Sequence, residues 1–168
     1  MNENKNDDDN DFFLSNDEDI KDNLDDLFIE QKKLLILDLD HTLIYSDEKE
    51  STNFDFTILY NGIVKFYVKK RPYLDLFLNY IFIHFDIAVW SAGNKEYVDV
   101  IIDNIFINSK HLLKFIYYNT NCIEDKNNNL TKPLNVIENY NIINKIIIDN
   151  NETTFYNNIN NRSLNLRR

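Results

Sequence analysis

Seven polar side chains of this sequence have the types needed to handle a phosphoryl group. They combine carboxylates, hydroxyls, an amide and an ammonium: Asp38, Asp40, Thr42, Ser91, Lys132, Asp149 and Asn150. A carboxylate can attack phosphorus in line and form an aspartyl phosphate, which splits one difficult hydrolysis into two easier steps. A hard cation with oxygen ligands would offset the repulsion between the carboxylate and a phosphate dianion. The set therefore predicts a Mg²⁺-dependent phosphoryl-transfer site.

Each of these side chains can be given a role. Asp38 is the candidate nucleophile because it is the first residue after an apolar run, where a strand would hold it rigidly. Asp40 is near enough to protonate the leaving alcohol and later to deprotonate water. Lys132 and Ser91 would hold the phosphoryl oxygens as charge is redistributed, and we group Thr42 with these phosphate-binding residues.

The same residues supply the expected metal ligands. Mg²⁺ would bind between Asp38 and the phosphate, with Asn150 and Asp149 completing its oxygen shell and Asp40 contributing to the site. Three scattered histidines and one cysteine offer no zinc-site spacing. We expect His41 to line the site without reacting, and Arg71 to anchor a loop.

The elements that must position these residues alternate between strands and helices. Buried strands are predicted where apolar runs end in polar residues, at Leu34–Leu37, Asp86–Trp90 and Lys145–Ile148, with a further candidate at Lys114–Tyr118. Helices are predicted from Pro72, over Lys95–Phe106 and over Leu134–Tyr140, and a short strand over Asn161–Leu166. This order indicates an α/β fold with a doubly wound parallel sheet, in which ligands bind beyond the carboxyl ends of the strands.

Asn61-Gly62 lies between two alternating apolar runs and predicts a small β-hairpin. Residues 1–27 form an acidic, Asn-rich segment with few apolar positions, which predicts a disordered arm, with a frayed helix near residues 22–30. Residues 28–168 would form the folded domain.

The composition excludes several kinds of partner. A net charge of −10 disfavours direct binding to nucleic acid. A membrane span needs about 18 apolar residues, and no apolar run in the sequence approaches that length. A single cysteine fits a reducing compartment. The sequence is therefore expected to be intracellular and soluble, in the nucleus or the cytoplasm, with no membrane partner.

Five segments of the sequence together resemble one family. They occur in the family's order and cover about residues 32–156: DLDHTL, VKKRPYLDLFL, IAVWSAGNKEYVDVIID, NNNLTKPLNVI and NKIIIDNNETTF. DLDHTL after an apolar strand is similar to the DxDxT signature of haloacid-dehalogenase phosphatases. The other four segments resemble the FCP/SCP branch, also called NLI-interacting-factor-like.

The resemblance implies a haloacid-dehalogenase-like fold without a large cap, and an open site for phosphoserine or phosphothreonine in a flexible protein segment. The tail of RNA polymerase II is the type substrate. It implies that Asp38 is the nucleophile and Asp40 the acid/base. Mg²⁺ would be held by Asp38, the backbone carbonyl of Asp40, and Asn150.

Some features depart from the family pattern, and other functions are open. Pro133 follows Lys132 where Asp is common, Asn151-Glu152 replace Ser-Pro, and the C-terminus is expected to be shorter than usual. The main alternative is a catalytically silent binding or scaffold module on the same fold, like the translocase subunit of mitochondria. Its presequence and membrane span are not seen, and the missing span also disfavours the membrane-bound lipin-phosphatase relative. A small-molecule phosphatase would usually need an extra cap.

Overall fold

The structure is a computed structural model that describes residues 32–158 and the backbone strand 162–165. The predicted acidic arm at 1–27 and the frayed helix near 22–30 lie outside the described residues, so both stay predictions. The boundary of the folded domain at residue 28 is untested for the same reason.

A five-stranded parallel sheet forms the centre of the fold, as the apolar runs predict. Its strands lie in the order β10, β9, β1, β5, β6. Their bounds are β1 Leu34–Leu37, β5 Asp86–Trp90, β6 Ile116–Tyr117, β9 Lys145–Asp149 and β10 Arg162–Asn165. Because β1 is central, its carboxyl end lies between those of β5 and β9. This is the place where such sheets bind ligands.

Alternate residues of the central strands pack into two separate cores. Leu35 and Leu37 face one core, together with buried residues of the helices α1 (Leu74–His84) and α2 (Lys95–Ile105). Leu34 and Ile36 face the other core, which includes Trp90 and the side chains of a loop rather than of a long helix. A strand that is buried on both faces accounts for the continuous apolar run LLIL.

A second, antiparallel sheet is formed by β2 Ile44–Asp47, β3 Phe56–Tyr60 and β4 Ile63–Lys70, in the order β2, β4, β3. The predicted hairpin is confirmed, with Asn61 and Gly62 at φ 52° and 78°. Two residues with positive φ match the right-handed twist of the strands they join. A third, two-stranded sheet pairs β7 Ile123–Glu124 with β8 Leu130–Thr131.

The predicted helix at Leu134–Tyr140 is wrong. The chain makes only a 3₁₀ turn at Leu134–Val136, followed by extended backbone at Ile137. Lys145 explains the difference, because its buried ammonium donates to the backbone oxygens of Leu134, at 3.0 Å, and of Ile137. Burial lowers the pKa of this lysine. These carbonyls bind a side chain instead of continuing a helix.

Other boundaries also differ from expectation. The candidate strand Lys114–Tyr118 is reduced to the two residues of β6, and the strand within Asn161–Leu166 is confirmed as β10. A short helix, α3 Glu152–Asn157, was not predicted. It begins after Asn151, whose side chain accepts a hydrogen bond from the Thr153 N–H at 2.9 Å, as in an N-cap. Further 3₁₀ turns lie at Lys110–Leu112, Asn119–Asn121 and Ile142–Asn144.

Candidate active site

Six of the seven predicted site residues line one cleft of about 650 Å³: Asp38, Asp40, Ser91, Lys132, Asp149 and Asn150. The cleft lies at the carboxyl ends of β1, β5 and β9, where the parallel sheet was expected to place it. His41 also lines the cleft, as expected. The seventh residue, Thr42, is buried behind it.

Asp38 is fixed from both its backbone and its side chain. Its N–H donates to the carbonyl of Ile148 at 3.0 Å, which extends the β1–β9 ladder by one residue. One carboxylate oxygen accepts from the Lys132 ammonium at 2.5 Å, and the other accepts from the Thr42 hydroxyl at 3.0 Å. Thr42 therefore orients the carboxylate, and its side chain contacts Asp38 rather than the space of the cleft.

The charges around Asp38 are only partly balanced. Burial raises the pKa of Asp38 to about 6, against the opposing effect of Lys132, and the nearby Asp149 raises it further. For Lys132, burial lowers the pKa, but the attraction of Asp38 and Asp149 outweighs burial and raises it overall. The ammonium thus stays charged between two carboxylates. One cation facing two buried carboxylates leaves net negative charge in the cleft.

Asp149 serves as the second counter-ion of Lys132. Its Oδ2 accepts from the ammonium at 2.8 Å and from the Thr154 hydroxyl at 3.0 Å, and its Oδ1 accepts from the Asn151 N–H at 2.7 Å. The carboxylate is 4% exposed. These contacts couple the lysine to the end of β9 and to the start of α3.

Asp40 is held by two hydroxyl groups that the sequence did not indicate as site residues. Ser46 donates to Asp40 Oδ1 at 3.0 Å, and the Tyr97 hydroxyl donates to the same oxygen. The two hydroxyl oxygens are 2.6 Å apart. Burial raises the pKa of Tyr97, and the Asp40 charge raises it further, so the phenol stays protonated and remains a donor. The Asp40 carboxylate is thereby fixed through one of its two oxygens.

Arg71 holds the loop that carries the acids, as predicted. Its guanidinium donates to the carbonyl of Thr42 at 2.5 Å and to that of His41 at 2.8 Å. His41 has a φ of 60°, a left-handed conformation that non-glycine residues seldom adopt. The Arg71 guanidinium therefore provides hydrogen-bond donors for two carbonyls of this tight turn between β1 and β2.

Ser91 lines the cleft at the carboxyl end of β5, the strand next to β1. It is 1% exposed, and its hydroxyl accepts from the Gly93 N–H at 3.0 Å. A β-carbon at position 93 would lie 2.9 Å from the ring of Tyr97 and 3.2 Å from the Ser91 hydroxyl. Gly93 thus allows the serine and the tyrosine to approach each other across this turn.

The backbone around Lys132 is tied down by a distant amide. Asn158, which is 1% exposed, donates to the Lys132 carbonyl at 2.9 Å and accepts from the Leu134 N–H at 2.9 Å. It also donates to the Thr154 carbonyl at 2.8 Å. Asn158 lies 26 residues along the chain from Lys132, and no local pattern pointed to it. Tyr97 lies among the apolar residues of α2, so the sequence indicated only that it would be part of the core.

The residues of the cleft fit a Mg²⁺ ion. No group of three His, Cys, Asp or Glu side chains with metal-site geometry occurs within the described ranges, but Mg²⁺ commonly takes one or two carboxylates and fills its shell with water and substrate oxygens. Asp38 supplies a carboxylate, and the amide of Asn150 lines the cleft without a hydrogen bond to any described residue. A bound divalent cation would offset the net negative charge that remains beside Lys132.

Comparison with known proteins points to one family. The model of the NLI interacting factor-like phosphatases matches residues 33–164. Over 141 residues the chain is 33% identical to the CTD nuclear envelope phosphatase 1 homolog of Drosophila melanogaster, covering 77% of this chain and 56% of that protein. Over 150 residues it is 29% identical to Nuclear envelope morphology protein 1 of Saccharomyces cerevisiae, covering 79% of this chain and 34% of that protein.

A solved structure shares the fold. The fission yeast RNA polymerase II CTD phosphatase Fcp1, bound to beryllium fluoride, aligns with a TM-score of 0.62 at 20% identity, over 87% of this chain and 44% of that chain. The predicted haloacid-dehalogenase-like architecture is confirmed. The chain spans about half the length of the Drosophila relative and about a third of the yeast one. Each helix within residues 32–158 is too short or too polar to span a bilayer.

Proposed function

The chain belongs to the NLI interacting factor-like phosphatase family, and from this premise we propose that it is a Mg²⁺-dependent protein serine/threonine phosphatase acting through an aspartyl phosphate on Asp38. One observation carries the proposal. The Asp38 carboxylate lies at the end of the central strand, held by Lys132 and Thr42, in the same cleft as a second acid that is separately oriented.

In the first step, an oxygen of Asp38 attacks phosphorus as the bond from phosphorus to the serine or threonine oxygen breaks. Asp40 gives its proton to the departing oxygen, so that a neutral alcohol leaves. Lys132 and Ser91, which line the cleft on either side of Asp38, hold the phosphoryl oxygens. The product of this step is a phosphoryl group bonded to Asp38.

In the second step, Asp40 takes a proton from a water molecule that attacks the same phosphorus. The bond from phosphorus to the Asp38 oxygen breaks, which releases inorganic phosphate and restores the carboxylate. Asp38, the backbone carbonyl of Asp40, Asn150 and Asp149 would hold a Mg²⁺ ion, which would supply charge neutralisation between nucleophile and phosphate. Ser46 and Tyr97 hold Asp40 in one orientation through both steps.

The proposed substrate is phosphoserine in a flexible protein tail, such as the C-terminal domain of RNA polymerase II. The cleft is open, and the described residues contain no large cap domain over it. The name of the fission yeast structure refers to the RNA polymerase II CTD, and the name of the Drosophila relative contains the term CTD. The names of two relatives refer to the nuclear envelope, which supports action in or near the nucleus.

The test is hydrolysis of p-nitrophenyl phosphate by the wild type and by Asp38→Asn, each with Mg²⁺ and with EDTA. We expect turnover only in the wild type with Mg²⁺. Glu138→Gln, which removes one exposed carboxylate, should keep full activity. Equal rates in all samples would leave the chain a silent binding module.

The covalent step has its own measurement. Acid-quenched protein, after brief incubation with a ³²P-labelled phosphopeptide, should carry label that hydroxylamine removes, because acyl phosphates react with that nucleophile. Asp38→Asn should carry none. Label that resists hydroxylamine would place the phosphoryl group on a different residue and contradict the proposal.

A further inference from the structure

We propose that a cavity beside the active-site cleft is a second anion site, which binds a carboxylate or phosphate group on the substrate polypeptide near the phosphoserine. The cavity, here called the lysine cavity, is lined by His41, Ile44, Tyr45, Lys69, Lys70, Arg71 and Pro72. Its use in catalysis rests on the proposed phosphatase function. Its ability to bind anions does not.

The lysine cavity adjoins the cleft through a shared residue. It has a volume of about 380 Å³, and His41 lines both spaces. The His41 ring packs edge-on against Tyr45 with centroids 5.4 Å apart, so these two rings form part of the boundary. A peptide with its phosphoserine in the cleft could thus extend across His41 into the lysine cavity.

The antiparallel pairing of β2 and β4 brings the cations to this place. Tyr45 lies opposite Lys69 and Ile44 opposite Lys70 in the register of the two strands. Residues directly opposite each other point to the same face, whereas successive residues of a strand alternate, so the Tyr45–Lys69 and Ile44–Lys70 pairs lie on opposite faces of the sheet. Both pairs border the lysine cavity because it lies where β2 begins and β4 ends. Arg71 follows at the end of β4, where its guanidinium binds the two loop carbonyls described above.

The three cations of the lysine cavity also line an adjoining pocket that contains Asp55 and Asp75, but no acid lines the lysine cavity itself. Its lining includes three cationic side chains and no carboxylate. The Lys70 ammonium makes no hydrogen bond or ion pair with any residue of the described ranges, and Lys69 meets Asp55 at 3.4 Å in an exposed pair of the kind that contributes little. Arg71 is bonded to neutral carbonyls, which leave its charge uncompensated.

The cleft and the lysine cavity therefore have opposite electrostatic characters. The cleft contains Asp38, Asp40 and Asp149 beside a single lysine, whereas all the charged side chains that line the neighbouring cavity are cations. An anionic side chain near the phosphoserine would be repelled by the carboxylates and attracted by the lysines. This difference would favour one placement of the chain across His41 and would select substrates with acidic or multiply phosphorylated sequences.

The kinetic test uses peptides that each contain one fixed phosphoserine. One further position carries Ala, Glu or a second phosphoserine, and this position is moved from four residues before the fixed phosphoserine to four residues after it. We expect kcat/KM to be about fivefold higher for the best anionic peptide than for its alanine counterpart, the scale of one partly exposed ion pair. Lys70→Gln should remove most of this preference, and Lys69→Gln a smaller part. The Glu and phosphoserine arms distinguish a carboxylate from a phosphate as the ligand.

Two controls separate the lysine cavity from general charge effects and from the chemistry. Lys65 lies on the same strand, outside the lining of the lysine cavity, and its ammonium pairs with Glu48 at 2.7 Å. Lys65→Gln should therefore keep the preference for anionic peptides. Lys70→Arg keeps the positive charge and should also keep the preference for anionic peptides. All these variants should hydrolyse p-nitrophenyl phosphate at the wild-type rate, because this small substrate does not reach the lysine cavity.

A binding measurement decides the inference even if no hydrolysis is found. Fluorescence anisotropy of the labelled peptides in EDTA should show about fivefold tighter binding of the anionic peptide to wild type than to Lys70→Gln. Wild type that binds and processes anionic and alanine peptides equally would overturn the inference. A preference that survives both Lys70→Gln and Lys69→Gln would overturn it as well. Absent p-nitrophenyl phosphate hydrolysis would instead count against the phosphatase function.

Discussion

The two halves of the candidate active site are held by different means. Asp38 and Ser91 are fixed by strand ladders, because their N–H groups donate to the carbonyls of Ile148 and Tyr117, each at 3.0 Å. Lys132 comes from a loop, and its segment is held by the side chains of Asn158 and Lys145, which bind backbone groups between positions 132 and 137. Backbone ladders tolerate side-chain replacement, whereas such tethers depend on single residues. The loop half should therefore be the more fragile one.

The largest effect is expected where the two halves meet. Lys132→Met would leave Asp38 and Asp149 buried without their cation, which should lower the free energy of unfolding by about 3–5 kcal/mol and abolish turnover. Urea denaturation and p-nitrophenyl phosphate hydrolysis measure the two losses. Lys126→Met, which changes an exposed lysine of a nearby loop, should do neither. Unchanged stability in Lys132→Met would mean that the buried pairs are not formed in solution.

Asn158→Ala tests the tether alone. It would leave the buried Leu134 N–H and Lys132 carbonyl without partners, at a cost of about 3 kcal/mol in unfolding free energy. Turnover should fall with it, because Lys132 loses its support. Asn157→Ala, at the exposed neighbouring position, should be nearly neutral in urea denaturation and turnover. If both variants behaved alike, the loop half would not depend on this amide.

The strand half should show itself in the pH dependence of stability. In metal-free protein the pKa of Asp38 is raised to about 6 from an ordinary 3.8, so the folded state holds this proton more tightly than the unfolded state. Stability from this group is therefore greatest below about pH 4 and is lost as the pH rises to about 6, by roughly 3 kcal/mol. Asp38→Asn should lose that slope when urea denaturation is repeated in EDTA at each pH. A slope that persists in the variant would assign it to other groups.

The smallest effect concerns the orientation of the acid. Tyr97→Phe removes one of two hydroxyls on Asp40 Oδ1 and should slow hydrolysis of phenyl phosphate about tenfold, the scale of one hydrogen bond. p-Nitrophenyl phosphate should be slowed less, because its leaving group needs little protonation. Tyr73→Phe, at an 81% exposed position, serves as control. Equal slowing of both substrates would mean that Tyr97 supports the fold rather than Asp40.

The strand half could be predicted from sequence because its signals are local. Short apolar runs such as LLIL and DIAVW end directly before Asp38 and Ser91, and parallel strands bring their carboxyl ends to one edge. The family resemblance agreed with that placement. Asp38 and Ser91 then line one cleft, and the contact of Asp38 with Thr42 spans only four positions of the chain.

The loop half could not be predicted in the same way. Leu134 and Ile137 have helical spacing and both are buried, so the pattern favoured a helix. The tertiary hydrogen bonds from Lys145 and Asn158 override this pattern, and these residues are 8 to 26 positions away from their partners. Tyr97 was missed for a related reason. A tyrosine among apolar helix residues gives the same sequence pattern whether or not its hydroxyl binds an acid.

Ser46 and Tyr97 both occupy Asp40 Oδ1, and none of the described residues bonds its Oδ2. Under the proposed mechanism the carboxylate then has a single oxygen through which a proton can pass. The outgoing alcohol and the incoming water must use that oxygen in turn, so the alcohol departs before water can be activated. The two half-reactions would alternate without overlap, and a small alcohol that enters in place of water would be phosphorylated in its stead.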